Sequence, residues 1–123
     1  MKKPHIFPFM VAYADTDAGG IVYHARYVEI AERARMDLFS GVDDPDGGFV
    51  IKKLQVEYIK PLRLGDRFVV ETIFTGHTAA TADVRQTFVK DGETMAVLTG
   101  TAVYVDANIR PKKLTSVWME YID

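Results

Sequence analysis

The chain has 123 residues, no cysteine and a formal net charge of −2. This length fits one domain, which we predict to span residues 1–123. The lack of cysteine excludes a disulfide framework, a zinc–thiolate site and a cysteine nucleophile. Nucleic-acid binders usually have a basic balance or a basic stripe, and this sequence has neither. It contains no signal-peptide core and no apolar run of about 18 residues, so we expect a soluble cytoplasmic domain without a membrane span.

The first predicted elements are a strand and a long helix. Residues 7–13 are apolar and predict a strand, weakened near Pro8, and turn residues fill positions 14–20. From about Val22 the apolar spacing becomes that of one helix face, and Ser40-Gly41 is a stop signal. The sequence therefore predicts one helix of about 16–18 residues. Its apolar face consists of Tyr27, Ile30, Ala31, Ala34 and Leu38.

The rest of the chain has the pattern of strands. Residues 53–58, 68–74 and 80–89 predict three of them. Asp91-Gly92 is the strongest hairpin signal in the chain and opens a fourth strand over 93–105. Helix and strands are segregated, which favours an α+β fold with an antiparallel sheet. One long helix covers a five-stranded sheet only if the sheet curls around it, so we predict the hotdog fold.

The segment between the first strand and the helix carries the candidate chemistry. The first backbone N–H groups of a helix lack internal partners and lie at the positive end of its dipole, so they can polarise a substrate carbonyl. Gly19 and Gly20 leave the backbone open to close approach by a substrate. The carboxylate of Asp17 can face the same carbonyl carbon, as general base or as nucleophile.

The residues alone leave other interpretations open for this segment. Asp and Thr before a helix are commonly caps, and Gly-Gly is commonly a turn. The triplet Asp15-Thr16-Asp17 also suggests a metal, but no Asp and His cluster supplies further ligands at a familiar spacing. We therefore predict no metal site, and we assign Asp15 to turn capping.

The same segment resembles the active-site loop of the hotdog thioesterases of the 4-hydroxybenzoyl-CoA type, in particular the YbgC-like acyl-CoA thioesterases. The family pattern is a Tyr, a Thr-Asp pair, a Gly-rich pair and an apolar stretch ending in Tyr-His. Here these positions are Tyr13, Thr16-Asp17, Gly19-Gly20, Ile21-Val22 and Tyr23-His24. The resemblance has no gap between Tyr13 and Arg35, and it continues through Val56-Glu57-Tyr58 to Pro111.

The resemblance implies a role for each position. The catalytic carboxylate falls on Asp17, and the backbone N–H that polarises the thioester falls at His24 or Tyr23. Tyr13 is expected to position the loop or the acyl group. The side chain of His24 is expected to contact substrate or a proton on the departing thiol. The remaining expected substrate-binding residues of the loop are Gly19, Gly20, Val22 and Tyr23.

The sequence departs from the family in the residues that would hold CoA phosphates. The 4-hydroxybenzoyl-CoA enzymes carry an Arg/Lys cluster near the turn between the third and fourth strands, where this chain offers only His77. Arg110, Lys112 and Lys113 are the alternative candidates, although exposed cations on a tail are commonly only solvated. The carrier of the acyl group, CoA or an acyl-carrier protein, therefore stays open.

The function implied by the resemblance is hydrolysis of an acyl thioester to a carboxylate and a thiol, with no metal and no organic cofactor. A rival is a hotdog domain that binds an acyl thioester without hydrolysing it, as a sensor or assembly partner; such a binder does not need Asp17. A hotdog dehydratase fits less well, because its reaction uses a His and a carboxylate on different elements. Unpaired sheet edges favour pairing with a second chain. The resemblance implies the same, since hotdog relatives form dimers that are often doubled to tetramers, so we predict a homodimer or homotetramer.

Overall fold

The computed structural model describes residues 3–122. Its elements are β1 (His5–Met10), a 3-10 turn (Tyr13–Asp15), α1 (Arg26–Phe39), β2 (Gly48–Tyr58), β3 (Arg67–His77), β4 (Thr81–Lys90), β5 (Glu93–Val105) and α2 (Ser116–Ile122). In this part of the chain, neither helix has the length and apolar character needed to cross a membrane.

The five strands form one antiparallel sheet in the order β1-β3-β4-β5-β2. The apolar face of α1 packs on it, and all five residues predicted for that face are buried. Ile30, Ala31 and Ala34 share one core cluster with residues of β3, β4 and β5. This α+β arrangement of one long helix against a single sheet is the predicted hotdog fold. It leaves β1 and β2 as the two edges of the sheet.

The hairpin between β4 and β5 forms where the sequence predicts it. Asp91 has φ of 50° and Gly92 has φ of 76°, so two consecutive residues lie in the left-handed region. Two such residues give a tight turn whose twist matches that of the flanking strands. Lys90 and Glu93 form the last pair of the ladder on either side of it.

The boundaries before α1 differ from the prediction. The helix begins at Arg26 rather than near Val22, because residues 21 and 22 are used in antiparallel bridges. The N–H of Val22 donates to the carbonyl of Leu62 at 2.8 Å, which keeps the chain extended there. Strand β1 ends at Met10 rather than residue 13, because Asp15 accepts the N–H of Ala12 and closes a 3-10 turn.

Strand β2 is longer than predicted, since it begins at Gly48 and has eleven residues. A bulge between Ile51 and Lys53 interrupts its pairing with β5. A bulge shifts the alternation of side chains by one residue. That shift hid the first half of the strand from an analysis based on strict alternation.

The C-terminal segment contains helix α2 and is not the exposed tail that the sequence predicts. Leu114, Trp118 and Ile122 recur every four residues and pack in a second apolar cluster. The ring of Trp118 lies edge-on to Phe39 and to Phe49, at centroid distances of 4.8 and 4.9 Å. A seven-residue helix is too short to persist alone, so these contacts hold it.

Candidate active site

The segment from Asp15 to Tyr23 is a hydrogen-bonded hairpin. The N–H of Asp17 donates to the carbonyl of Ile21, and that of Tyr23 donates to the carbonyl of Asp15, both over 2.9 Å. Gly20, with φ of 78°, makes the reversal between them. Its N–H donates to the carbonyl of Asp17 at 3.0 Å. The Gly-Gly pair therefore makes a turn that presents Asp17 at the tip of the hairpin.

The carboxylate of Asp17 is exposed and held in one orientation. Its Oδ1 accepts the N–H of Gly19 at 2.8 Å. A Cβ atom at Gly19 would lie 3.2 Å from that oxygen, so a larger residue there would press on the carboxylate. Gly19 thus positions Asp17 through its backbone, while Gly20 has open space around it. Within residues 3–122, Oδ2 of Asp17 accepts no hydrogen bond, which leaves this oxygen of an exposed side chain available to water or substrate.

Asp15 differs from Asp17 in its burial and in its role. Its side chain is buried, its Oδ2 accepts the N–H of Ala12 at 2.8 Å, and its Oδ1 lies 3.3 Å from Nε of Arg26. Arg26 also donates to the carbonyl of Ala14 at 2.6 Å. The assignment of Asp15 to turn capping is confirmed. The same carboxylate fastens the hairpin to the first residue of α1.

His24 lies at the exit of the hairpin, in the turn before α1. Within the described residues, the backbone N–H groups of His24 and Ala25 have no hydrogen-bond acceptor. The N–H of Tyr23 is already bound to the carbonyl of Asp15. The sequence leaves the N–H that polarises the thioester at either Tyr23 or His24. The geometry therefore favours the N–H of His24. The Tyr23 and His24 rings pack against each other at a centroid distance of 4.4 Å.

Tyr58 is a site residue to which the sequence motif assigns no role. Its hydroxyl donates to the carbonyl of His24 at 2.7 Å, and its ring packs edge-on to Tyr27. Burial raises the pKa of the Tyr58 phenol, so the group stays protonated and able to donate. The hydrogen bond fixes the peptide plane that joins His24 to Ala25. The only sequence signal was a tyrosine at the end of β2.

The remaining predicted loop residues fall into different environments. Tyr13 lies on the 3-10 turn and is 82% exposed. Tyr23 is exposed as well, whereas Val22 is only 3% exposed and belongs to the main core cluster. Val22 therefore anchors the hairpin to the core. It does not occupy the surface position expected of a residue that contacts substrate.

The basic residues predicted to hold CoA phosphates lie at the far end of β2 within one chain. Gly48 pairs with Val105, close to Arg110, whereas Tyr58 pairs with Ala96. Ten residues of extended strand separate the two ends by roughly 33 Å. One protomer therefore does not bring these residues to Asp17.

The basic residues also differ in how they are held. Lys112 contacts the carbonyl of Asp46 at 3.4 Å, and its Nζ lies 5.1 Å from the ring centroid of Tyr104. Arg110 is exposed, on a turn closed by the carboxylate of Asp106. Lys113 is exposed too. Among the described residues, no group of three or more His, Asp or Glu side chains is arranged to hold a metal.

Comparisons with known proteins show which sequences this chain resembles. The acyl-CoA thioester hydrolase YbgC of Escherichia coli O6:H1 is 41% identical over 76 residues, which cover 56% of this chain and 57% of that protein. The chain thus spans little more than half the length of this relative. An acyl-acyl carrier protein thioesterase from Arabidopsis thaliana chloroplasts, ATL2, is 27% identical over 121 residues, which cover 91% of this chain and 64% of the relative.

The fold has close counterparts among solved structures. A probable thioesterase from Bartonella henselae superposes with a TM-score of 0.83 at 24% identity, over 91% of this chain and 99% of that one. The family model of the thioesterase-like superfamily matches residues 11–120, from the end of β1 to α2. This match includes the hairpin, the Tyr58 contact and the whole sheet after β1, and on it the chain belongs to the thioesterase-like superfamily.

Proposed function

We propose that this protein is an acyl-CoA thioester hydrolase with Asp17 as its catalytic carboxylate. The observation that carries the proposal is the hairpin, which holds a carboxylate at its tip and unused backbone donors at its exit. The names of the YbgC relatives, acyl-CoA thioester hydrolases or thioesterases, point to the same chemistry. A protein that only binds acyl thioesters would not need a carboxylate held in this way.

The reaction uses these groups in a definite order. The thioester oxygen accepts the N–H of His24, with Ala25 beside it, and the carbonyl carbon becomes more electrophilic. Asp17 removes a proton from water as the water oxygen bonds to that carbon, or adds to the carbon itself and is released by water later. The tetrahedral oxyanion stays on the same donors. Its collapse breaks the carbon–sulfur bond, and the thiolate takes up a proton, which we assign to the imidazole of His24; the proton released from water then restores that imidazole.

The site is completed in a homodimer that forms through β2. This strand is an edge of the sheet and exposes the apolar side chains of Val50, Ile51 and Leu54. An open apolar edge favours pairing with a second strand. Antiparallel pairing about a two-fold axis would set the Gly48 end of one β2 beside the Tyr58 end of the other. Arg110 and Lys113 of one protomer would then approach the hairpin of its partner, and two such dimers would give the expected tetramer.

The proposed carrier is CoA, with acyl-carrier protein as the alternative that the name of the Arabidopsis relative suggests. A nucleotide carrier would use the exposed cations Arg110 and Lys113 as phosphate contacts. We propose a cytoplasmic location, because a chain without cysteine is suited to a reducing compartment.

The proposed function is tested by release of free thiol from a panel of short, long and aromatic acyl-CoAs. We expect catalytic turnover of at least one class, without added metal or cofactor. Binding of acyl-CoA with no thiol release for any class would contradict hydrolysis and favour the non-catalytic binding protein. The same assay with the same acyl groups attached to acyl-carrier protein instead of CoA distinguishes the two carriers.

A further inference from the structure

A groove of about 400 Å³ lies between the second half of α1 and the start of β2. Its lining includes none of Tyr13, Asp17 and His24. The walls are mainly apolar, but two charged side chains of α1, Glu32 and Arg35, also line it. The apolar side chains of its lining include those of Phe49, Phe74 and Trp118.

Arg35 turns its guanidinium inward rather than out to water. Its Nη1 donates to Oε1 of Gln86 at 2.9 Å, and Gln86 is completely buried. The amide nitrogen of Gln86 in turn donates to the carbonyl of Ala31 at 2.8 Å and to Oγ1 of Thr72 at 3.1 Å. A long cationic side chain on a helix surface usually extends its charge into solvent. Here the buried side-chain amide of Gln86 holds the guanidinium of Arg35 at the wall of the groove.

The guanidinium keeps unused donors in this position. Among residues 3–122 no carboxylate forms an ion pair with Arg35, and its one hydrogen-bond acceptor is Gln86. An arginine has five N–H donors and stays charged in proteins. Burial lowers the pKa of Arg35, and the charge of Glu32 acts in the opposite direction. A half-buried cation beside apolar walls is well suited to a charge-assisted hydrogen bond with an anionic oxygen.

We propose that the groove receives the acyl group and that Arg35 selects acyl groups ending in a carboxylate. This inference rests on the proposed thioester hydrolysis and names its substrate class. Phe49, Phe74 and Trp118 would pack on the methylene chain, and the guanidinium would bind the terminal carboxylate. Arg35 lies nine residues after Arg26, about 13 Å along α1. It is therefore a specificity-determining residue for the far end of the acyl group, in its own site or in that of the partner subunit.

Glu32 lies three residues before Arg35 on the same wall and opposes a bound anion. Its side chain is exposed, so water and salt screen its charge more than that of the inward guanidinium. Removal of the negative charge of Glu32 and removal of the positive charge of Arg35 should therefore have opposite effects on the preference. Glu32→Gln should strengthen the preference for a terminal carboxylate, whereas Arg35→Met should abolish it.

The experiment compares kcat/KM for pairs of acyl-CoAs of equal chain length, with a terminal methyl or a terminal carboxylate. Suitable pairs are pentanoyl and glutaryl, hexanoyl and adipoyl, and octanoyl and suberoyl. We expect the protein to favour the carboxylate about tenfold or more at one length, the discrimination of one charge-assisted hydrogen bond. Arg35→Met should bring that ratio to one or below, mainly by lowering kcat/KM for the carboxylate-ended partner. Arg33→Met, on the exposed face of α1, should leave the ratio unchanged.

A preference for the methyl-ended partner at every length, or an unchanged ratio in Arg35→Met, would overturn the inference. If Arg35→Met does not fold, the neutral and polar Arg35→Gln replaces it, and a ratio equal to that of the unchanged protein has the same consequence. Calorimetric binding of the same pairs to Asp17→Asn separates this inference from the proposed function. Suppose that binding shows a carboxylate preference that depends on Arg35, but the protein hydrolyses no thioester. This result would contradict the proposed hydrolysis and would support the role of Arg35.

Discussion

The hydroxyl of Tyr58 donates a hydrogen bond to the backbone carbonyl of His24 over 2.7 Å, which ties the edge strand β2 to the turn before α1. The peptide that carries this carbonyl also carries the N–H of Ala25. The neighbouring N–H of His24 is the donor proposed for the oxyanion. A contact between two elements far apart in sequence thus sets the orientation of the Ala25 N–H, which lies beside that donor.

Tyr58→Phe is predicted to lower kcat more than it raises KM. The ring keeps its edge-on contact with Tyr27, but the His24 peptide loses its fixed orientation. We expect a fall in kcat of about tenfold, since one donor of the oxyanion site becomes misaligned. The free energy of unfolding should fall by about 1 kcal/mol. Tyr121→Phe, the same chemical change on α2, should leave kcat unchanged in the same thiol-release assay.

The anchoring of α2 is predicted to fail in acid. The carboxylate of Asp44 accepts hydrogen bonds from the hydroxyl of Tyr104 and, at 2.7 Å, from the indole N–H of Trp118. The Tyr104 hydrogen bond is the main cause that lowers the pKa of Asp44 below its usual 3.8. A depressed folded-state pKa contributes stability that is present above the unfolded value and is lost as pH falls through the folded one. The change should therefore occur below about pH 4.

The single tryptophan of the chain reports this change through its fluorescence. We expect a reversible transition of Trp118 emission below about pH 4, before global unfolding is seen by circular dichroism. Asp44→Ala should destabilise the protein by about 1–2 kcal/mol at neutral pH, because two donors lose a charged acceptor. An acid transition of Trp118 that is identical in Asp44→Ala would show that another group controls it.

The dimer is predicted to depend on the open edge of β2. Leu54→Lys places a charge on this exposed strand, and charged residues on an edge oppose pairing. We expect light scattering to give a monomer for the variant and a dimer or tetramer for the unchanged protein, with loss of activity in the monomer. Ile6→Lys, at an exposed position on the opposite edge strand β1, is the control and should keep the dimer. A monomer that is fully active at low nanomolar concentration would be incompatible with a shared site.

The carrier is tested at Arg110 and Lys113 rather than at Lys112. The contact of Lys112 with Asp46 and the Tyr104 ring means that its reversal would disturb the fold. The double change Arg110→Glu and Lys113→Glu should raise KM for acyl-CoA and leave kcat nearly unchanged, as expected for uniform binding. The effect should shrink at high salt, because exposed charges are screened over roughly 8 Å at physiological ionic strength. An equal rise with a truncated acyl-pantetheine, which has no nucleotide phosphates, would exclude a phosphate site.

The sequence predicts those features that depend on local periodicity or on a turn. The buried face of α1 and the Asp91-Gly92 hairpin follow from side-chain spacing and from residues that tolerate positive φ. The late start of α1 does not, because it depends on the pairing of Val22 with Leu62, forty residues away. Helix α2 is missed for a related reason, since its stability comes from aromatic contacts with distant elements.

The candidate site shows the same division. The position of Asp17 at the hairpin tip agrees with the sequence motif, and the capping by Asp15 is confirmed. The Tyr58 hydroxyl and the inward Arg35 are invisible in the sequence. Each acts through a long-range hydrogen bond, to His24 and to Gln86 respectively, that no local pattern records.

The central claim, that Asp17 performs the chemistry, is tested most directly by thiol release from Asp17→Asn. An asparagine can still accept the N–H of Gly19 through its side-chain oxygen, so the hairpin should keep its shape. We predict a fall in kcat of ~10²–10⁴-fold with the best substrate. The change in the free energy of unfolding should stay within about 1 kcal/mol.

Asp15→Asn provides the matched control for this measurement, because it makes the same chemical change two residues away. It removes the ion pair between Asp15 and Arg26 and should mainly reduce stability. Loss of kcat in Asp17→Asn at nearly unchanged melting temperature, with the reverse in Asp15→Asn, is the result that our account predicts. Hydrolysis by Asp17→Asn at a rate close to that of the unchanged protein would contradict it.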